Sequence, residues 1–252
     1  MAKAKRKLEL INATAEEHKA FAGKDFSPHH LVALQPKTTP QEQFIQSYYE
    51  QIPMIFQVGS AGTGKTALAL YCALSEVLDK STVYDKIILI RSAVQARDIG
   101  FLKGSEDEKN CPHEETYRVL CDELLTFKSN NYENLKAKGL LEFHNTSFLR
   151  GVTWDNCIIL VDEIQNMKYT ELSTVMTRTG INSRIIFMGD YRQTDLHKKG
   201  DVSGYGELLK TIEYMPPESV DVIEYRPQDI IRSGIVKDFL LAEEARLSKE
   251  NQ

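Results

Sequence analysis

The sequence predicts an α/β fold in which a mostly parallel β-sheet is flanked by helices. Short apolar runs alternate along the chain with stretches of helical periodicity. One run, CIILVD at 157–162, is apolar almost throughout, as expected for a strand buried on both faces. A glycine-rich stretch, residues 59–64, separates the first strand from the helix that follows it. Ligands bind such sheets at the carboxyl ends of the strands, so we expect a site there.

Each predicted element rests on the spacing of its apolar residues. In the first helix, for example, Phe44, Ile45 and Tyr48 recur at helical intervals. The strands are, in order, the runs MIFQV, KIILIR, LLEFH, CIILVD, RIIFMG and VDVIEY, at 54–58, 86–91, 140–144, 157–162, 184–189 and 220–225. The helices are predicted at 40–50, 65–79, 114–127, about 169–178, 204–213 and 227–245, and residues 92–113 as a long polar connection.

Composition indicates a globular chain with one main domain. Of its 252 residues, 42% are hydrophobic and 27% are charged, which suits a sizeable core. We predict a partly flexible N-terminal arm at residues 1–35 and a single domain at 36–252. The net charge of −5 gives no general attraction to nucleic acid, so any site for a polyanion must be a local patch.

Cysteine usage and hydropathy predict a cytoplasmic protein with no membrane partner. The four cysteines form no C-x-x-C pair, which is typical of reduced thiols in a cytosol-like compartment. The longest apolar runs fall far short of the roughly 20 residues that span a bilayer.

The stretch GSAGTGKT at 59–66 fits the phosphate-binding pattern G-x-x-x-x-G-K-[ST]. Glycine lets backbone N–H groups approach phosphate oxygens, and the helix after the loop adds its positive end. Lys65 is predicted to reach the β- and γ-phosphates, and Thr66 to bind Mg²⁺. The alternative is a glycine-rich turn without a ligand. The predicted nucleotide contacts are Gly59, Ser60, Ala61, Gly62, Thr63, Gly64, Lys65, Thr66 and Ala67.

Two adjacent carboxylates, Asp162 and Glu163, end the apolar run at 157–162. We predict that Asp162 helps to hold Mg²⁺, because this cation prefers oxygen ligands. Glu163 is then the candidate general base that accepts a proton from an attacking water. The alternative is an acidic pair that caps the start of a helix.

Polar residues also follow the strand at 184–189, in the stretch GDYRQTDL. Asp190 is predicted to contact the nucleotide, and Gln193 to bond both the γ-phosphate and the lytic water; the alternative is an Asx-type turn. Near the C-terminus, Arg232 is placed on the helix predicted at 227–245. It is a candidate to neutralise charge on the transferred phosphoryl group, and the alternative is a solvated helix edge.

Five segments together resemble the PhoH-like P-loop ATPases: GSAGTGKT, RSAVQARDIGFLKG, CIILVDEIQN, RIIFMGDYRQTDL and QDIIRSGIV. The resemblance covers about residues 36–245 and is closest to the short, single-domain members typical of bacteriophages, so that the compartment would be the host bacterial cytoplasm. It implies a RecA-like core related to superfamily 1 helicases, with Mg²⁺-dependent ATP binding and hydrolysis. It also implies association with RNA or single-stranded DNA and a homo-oligomeric ring, with a hexamer as the expected size.

The resemblance assigns roles to residues that the motifs alone leave open. Gln41 resembles the adenine-reading glutamine ahead of the phosphate loop; otherwise it is a surface helix residue. Arg91 and Arg97 fall in a segment that resembles a loop facing nucleic acid or a neighbouring subunit; otherwise they are solvated loop charges. Arg178 is a further candidate for a contact with a neighbour's site in a ring.

The sequence departs from the family pattern at a few positions. Ser92 and Lys103 stand where many cellular members carry proline, and Ile164 replaces the alanine of the usual DEAQN. The alternatives to an ATPase that acts on nucleic acid are an ATP-gated scaffold with little turnover and a P-loop phosphotransferase. No N-K-x-D sequence occurs, so GTP is not the expected nucleotide.

Overall fold

The computed structural model describes residues 26–92, 106–127, 129–146, 149, 151–190 and 203–250. The strands are β1 (Met54–Gly59), β2 (Lys86–Arg91), β3 (Leu141–Asn145), β4 (Cys157–Asp162), β5 (Arg184–Gly189) and β6 (Val220–Tyr225). The helices are α1 (Thr39–Tyr49), α2 (Lys65–Val77), α3 (Glu106–Leu124), α4 (Asn131–Ala137), α5 (Tyr169–Met176), α6 (Tyr205–Ile212) and α7 (Ile235–Glu250).

The six strands form one sheet in the order β3-β2-β4-β5-β1-β6, and every neighbouring pair is parallel. The predicted α/β class with a parallel sheet is therefore confirmed. One strand, β5, lies between β1, which leads into the phosphate loop, and β4, which ends at the acidic pair. All carboxyl ends meet at one edge of the sheet, so these motifs come together there.

The hydrophobic core has a layer on each face of the sheet. Alternate residues of a strand point to opposite faces, so Ile55 belongs to the layer that α2 covers and Phe56 to the layer that α5 covers. The rings of Phe56 and Phe187 are stacked with their centroids 4.7 Å apart. Every residue of β4 is buried, which explains its continuous apolar run.

Two helix predictions had the wrong start, and one helix was missed. Helix α3 begins at Glu106 rather than at 114. The sequence did not indicate this earlier start, because the stretch before 114 is polar, contains Pro112 and lacks an apolar period. The short helix α4 was not predicted at all. Helix α7 begins at Ile235 rather than at 227, because Pro227 starts a 3-10 turn and Gly234 adopts a left-handed φ of 59°.

Residues 26–35, which fall inside the predicted arm, lie against the C-terminal end of α3. The rings of Phe26 and Phe127 meet edge to face, with centroids 5.2 Å apart. The N–H of Val32 donates to the carbonyl of Leu124 at 2.9 Å. Residues 1–25 lie outside the described residues, so the division of the chain at residue 35 stays a prediction. None of the helices described is both long and apolar enough to cross a bilayer.

Candidate nucleotide-binding site

The glycines of the loop between β1 and α2 are required by its backbone. Gly59 has a φ of 120°, and a Cβ atom there would lie 1.9 Å from the carbonyl oxygen of Tyr225 on the adjacent strand. The N–H of Ser60 donates to that same oxygen at 3.0 Å. Gly64, the N-cap of α2, has a left-handed φ of 81°. Side chains would strain this loop and keep its N–H groups from a ligand.

Lys65 folds back over the loop that precedes it. Its ammonium donates to the carbonyl oxygens of Gly59 and Ser60, both at 2.8 Å, and lies 3.3 Å from the hydroxyl of Thr63. That hydroxyl in turn donates to the carbonyl of Ser60 at 3.0 Å. The positive charge thus stands over the concave side of the loop, where phosphate oxygens can replace the carbonyl acceptors.

Asp162, at the end of β4, is buried with 6% of its surface exposed. The hydroxyl of Thr66 lies 3.3 Å from Asp162 Oδ1, and that of Tyr117 donates to Asp162 Oδ2 at 2.9 Å. Burial, and then the charge of Asp162, raise the pKa of Tyr117 well above its usual value, so this hydroxyl stays a donor. The Thr66 hydroxyl and the Asp162 carboxylate are the oxygen ligands that suit Mg²⁺, and their proximity fits a shared ion.

Glu163 adopts a left-handed backbone conformation, with a φ of 57°. Its Oε1 lies 3.3 Å from Arg91 Nη2, and its Oε2 accepts a hydrogen bond from Gln165 Nε2 at 2.5 Å. The sheet register sets Arg91 directly beside Asp162. Burial, and then the charge of Asp162, raise the pKa of Glu163, and the positive charge of Arg91 opposes that rise. A higher pKa makes a carboxylate a better proton acceptor.

Two adjoining cavities lie at this edge of the sheet. One, of about 240 Å³, is lined by residues 61–67, Asp162, Glu163, Asp190 and Arg232, with Thr116 and Leu120 from α3. The other, of about 330 Å³, has mainly apolar walls that include Leu34, Leu68 and Ile231. The cavities share Gly64, Ala67 and Leu120 as walls. The cavity that holds the phosphate loop and the acidic pair therefore adjoins one that offers apolar side chains, as a nucleotide's phosphates and base require.

Gln41 lines the larger, apolar cavity. Its Nε2 donates to the carbonyl of Thr63 at 2.8 Å, and its Oε1 accepts from the N–H of Lys37 at 2.7 Å. Each of these amide atoms can make one more hydrogen bond. The side chain thus links the apolar cavity to the phosphate loop, and its adenine-reading role stays a prediction.

Arg232 lines the smaller cavity, but the prediction that it lies on a helix was wrong. It stands in the segment between the 3-10 turn at Pro227–Asp229 and α7. The N–H of Ile231 donates to the carbonyl of Gly62 at 3.1 Å, which holds this segment against the phosphate loop. The exposed arginine therefore reaches the cavity from a loop rather than from a helix face.

The other predicted site residues differ in where they lie. Asp190 follows β5 and lines the smaller cavity. Arg178 lies at the opposite edge of the sheet, where its carbonyl accepts from the N–H of Trp154, ahead of β4. Gln193 and Arg97 lie outside the described residues. The roles predicted for these residues, and the contact of Arg91 with nucleic acid or a subunit, stay predictions.

A family model described as PhoH-like protein matches residues 33–244, which is most of the chain. The chain belongs to the PhoH-like family. As predicted, the parallel sheet with helices on both faces and a phosphate loop between β1 and α2 is a RecA-like P-loop core.

Several bacterial PhoH-like proteins are similar in sequence to this chain. The PhoH-like protein of Bacillus subtilis (strain 168) is 32% identical over 242 residues, which cover 94% of this chain and 70% of that protein. The PhoH-like protein of Synechocystis sp. is 33% identical, over 84% of this chain and 62% of its own length. Protein PhoH of Escherichia coli (strain K12) is 30% identical, over 77% of this chain and 53% of its own length. The chain thus spans little more than half of some relatives.

Among solved structures, the Pif1 helicase from Candida albicans is 15% identical to this PhoH-like chain. The alignment covers 78% of this chain and 42% of that one, with a TM-score of 0.36. A likeness this low adds nothing about activity.

Three residues of this PhoH-like site were not predicted from the sequence. Tyr117 and Thr116 come from α3, and Gln165 from the turn after β4. Tyr117 lay within a predicted helix, where its aromatic ring indicates only a core position. The two polar residues Gln165 and Asn166, which closely follow the acidic pair, were a signal for Gln165. The hydrogen-bond partners of Gln165 become visible only in the folded chain.

Proposed function

We propose that this PhoH-like chain is a Mg²⁺-dependent ATPase that couples ATP binding and hydrolysis to RNA or single-stranded DNA as a homo-oligomeric ring, with a hexamer as its expected size. The observation that carries the proposal is that Lys65, Thr66, Asp162 and Glu163 line one cavity of about 240 Å³. A cationic loop and a strand-end carboxylate pair thus line the same cavity, as the binding of a triphosphate with Mg²⁺ requires.

The phosphates would bind to backbone N–H groups of residues 61–66 and to the positive end of α2. Lys65 would exchange its carbonyl acceptors for β- and γ-phosphate oxygens. Thr66 and Asp162 would hold Mg²⁺, which when bound offsets the negative charge of the phosphates. Each of these groups already stands at the cavity, so binding needs little rearrangement of the chain.

Hydrolysis requires a group that takes the proton of the attacking water. Glu163 is the candidate, because it lines the same cavity and its pKa is raised. Arg232 and Asp190 line the cavity as well, and Arg232 would neutralise charge that develops on the transferred phosphoryl group. Gln193 is the further candidate to orient the water.

The adjoining apolar cavity is the proposed place of the base. Leu34, Leu68 and Ile231 offer it apolar surface, and Gln41 offers an amide that both donates and accepts hydrogen bonds. Adenine presents a donor and an acceptor on neighbouring atoms, which this amide can read together. ATP is therefore the proposed nucleotide.

A nucleic-acid partner is supported by the family resemblance rather than by overall charge, which is −5. Arg91, Arg97 and Arg178 remain the candidates for contact with a strand or with a neighbouring subunit. An ATP-gated scaffold with little turnover is the alternative, and it shares the same nucleotide site.

The rate of ATP hydrolysis with and without poly(U) separates these two functions. We expect Mg²⁺-dependent turnover that rises with poly(U). A scaffold would bind ATP but turn it over slowly, whether poly(U) is present or not. Measurement of the particle mass with ATP and a short RNA tests the ring.

The role of Glu163 is tested with Glu163→Gln, which keeps the size of the side chain and removes its basicity. We expect ATP binding to persist and turnover to fall by about 100-fold or more. The matched control is Glu207→Gln, an exposed change on α6, which should leave both unchanged. Full activity of Glu163→Gln would refute the assignment of the base.

A further inference from the structure

Gln165 lies in the 3-10 turn Ile164–Asn166, directly after the acidic pair. It is buried, with 3% of its surface exposed. Its Nε2 donates to Glu163 Oε2 at 2.5 Å, and its Oε1 accepts from the N–H of Asp190 at 3.1 Å. One side chain therefore joins the candidate base at the end of β4 to the residue that follows β5.

The end of β5 approaches Gln165 so closely that a side chain there would collide with it. A Cβ atom at Gly189 would lie 2.5 Å from Gln165 Oε1 and 2.7 Å from Ile164 Cγ1. Contacts under about 3 Å force a neighbour to move, so the present placement of Gln165, with its 3.1 Å hydrogen bond from the N–H of Asp190, depends on glycine at 189. The sequence thus carries an independent sign that this approach is close.

Glu163 has two partners that differ in strength. The bond from Gln165, a residue that is 3% exposed, is 2.5 Å long, while Arg91 Nη2 stands 3.3 Å from Oε1 in a pair whose side chains are 14% and 36% exposed. A short charge-assisted hydrogen bond is a strong one, whereas a longer and partly exposed ion pair contributes less. Gln165 is therefore the group that fixes Oε2 of the carboxylate, while Oε1 lies beside Arg91.

We propose that Gln165 is a positioning residue for hydrolysis, which orients the Glu163 carboxylate and ties it to the end of β5 beside the phosphate cavity. The inference rests on the ATPase function proposed above. Asp190 lines that cavity, so a ligand that shifts the end of β5 shifts the hydrogen-bonded oxygen of Glu163 as well. General-base catalysis depends steeply on such placement, because small displacements lengthen the path of the proton.

The first test compares Gln165→Met with Gln165→Glu. Methionine keeps the volume of the side chain and removes both hydrogen bonds, while glutamate keeps an acceptor for Asp190 and repels Glu163. We expect kcat to fall roughly 10- to 100-fold in both variants, with the KM and the binding constant for ATP changed less than about threefold. The matched control is Gln46→Met, an exposed change on α1, which should leave kcat unchanged.

The second test asks whether Gln165 acts through Glu163. In a Glu163→Gln background the residual turnover should change less than about twofold when Gln165→Met is added, because the base is already absent. A further tenfold loss in the double variant would overturn the proposal, as would wild-type kcat in Gln165→Met. Thermal unfolding verifies that each variant is folded. If Gln165→Met does not fold, the same comparison is made with Gln165→Glu, whose kcat then decides the test.

These outcomes separate the positioning role of Gln165 from the ATPase function. If the wild-type chain hydrolyses ATP, Glu163→Gln does not, and the Gln165 variants keep wild-type kcat, then only the positioning role fails. If the wild-type chain binds ATP without hydrolysing it, the ATPase function fails and the positioning role fails with it.

Discussion

Charged residues that are buried or partly buried occupy both edges of the sheet, but they are surrounded in different ways. At the amino edge, Arg184 is the first residue of β5 and is 1% exposed. Its guanidinium donates to the carbonyl of Tyr48 at 2.7 Å and to Gln51, stands 4.3 Å from the centre of the Tyr48 ring, and lies 3.6 Å from Glu76. We refer to Arg184, Tyr48, Gln51 and Glu76 as the amino-edge cluster.

At the carboxyl edge, the charges of Lys65, Asp162 and Glu163 face a cavity of about 240 Å³. The ammonium of Lys65 donates to two backbone carbonyls of its own loop. The contrast shows that burial of a charge does not by itself mark a functional site. A charge enclosed on every side by protein partners stabilises the fold, whereas charges that face an open space are placed for a ligand.

The largest expected effect on stability is that of Arg184→Met. The change leaves the Glu76 carboxylate buried without its cation, and loss of one partner of a buried pair costs about 3–5 kcal/mol. Urea denaturation measures this loss in the free energy of unfolding. The matched control is Lys86→Met, which breaks a pair whose side chains are 31% and 38% exposed and should cost less than about 1 kcal/mol. Equal losses in the two variants would contradict a structural role of the amino-edge cluster.

Tyr48→Phe should have the next largest effect. The Tyr48 hydroxyl donates to Glu76 Oε2 at 2.7 Å in a fully buried position, and a hydrogen bond to a charged group contributes about 1.5–3 kcal/mol. Denaturation should show a loss of that size, with ATP turnover unchanged in the folded protein. Tyr49→Phe is the control, because Tyr49 is 52% exposed, and it should change stability by less than about 0.5 kcal/mol. A Tyr48→Phe variant as stable as this control would show that the hydroxyl adds nothing.

The sequence predicted the carboxyl edge better than the amino edge, for a physical reason. The phosphate loop and the acidic pair are local motifs whose chemistry shows in consecutive residues, and the apolar strands that carry them have a clear period. Arg184 appears in the sequence as an ordinary charged residue at the start of a strand. Its burial depends on Tyr48 and Glu76, which come from α1 and α2, far away in the chain. Gln165 likewise acquires its role only because β5 lies beside β4.

Asp162→Asn should have the opposite effect to the amino-edge variants: a large loss of ATP turnover with little loss of stability. The asparagine oxygen still accepts hydrogen bonds, and loss of the charge relieves repulsion with Glu163, so the free energy of unfolding should change by less than about 1 kcal/mol. Mg²⁺-dependent ATP turnover should fall by about 100-fold or more, because a metal ligand is lost. Denaturation and steady-state turnover measure the two effects on one preparation. Strong destabilisation would place Asp162 among the structural charges.

The smallest expected effect is that of Arg91→Gln. This variant tests whether the ion pair between Arg91 and Glu163 contributes to stability or to ATP turnover. Arg91 has one ion-pair partner among the described residues, Glu163, at 3.3 Å. Because the pair is partly exposed, its loss should change the free energy of unfolding by less than about 1 kcal/mol. ATP turnover should change no more than about fivefold, since the bond from Gln165 still holds the carboxylate. Steady-state turnover of Arg91→Gln beside Gln165→Met makes the comparison. A loss as large as that of Gln165→Met would mean that Arg91, and not Gln165, sets the position of Glu163.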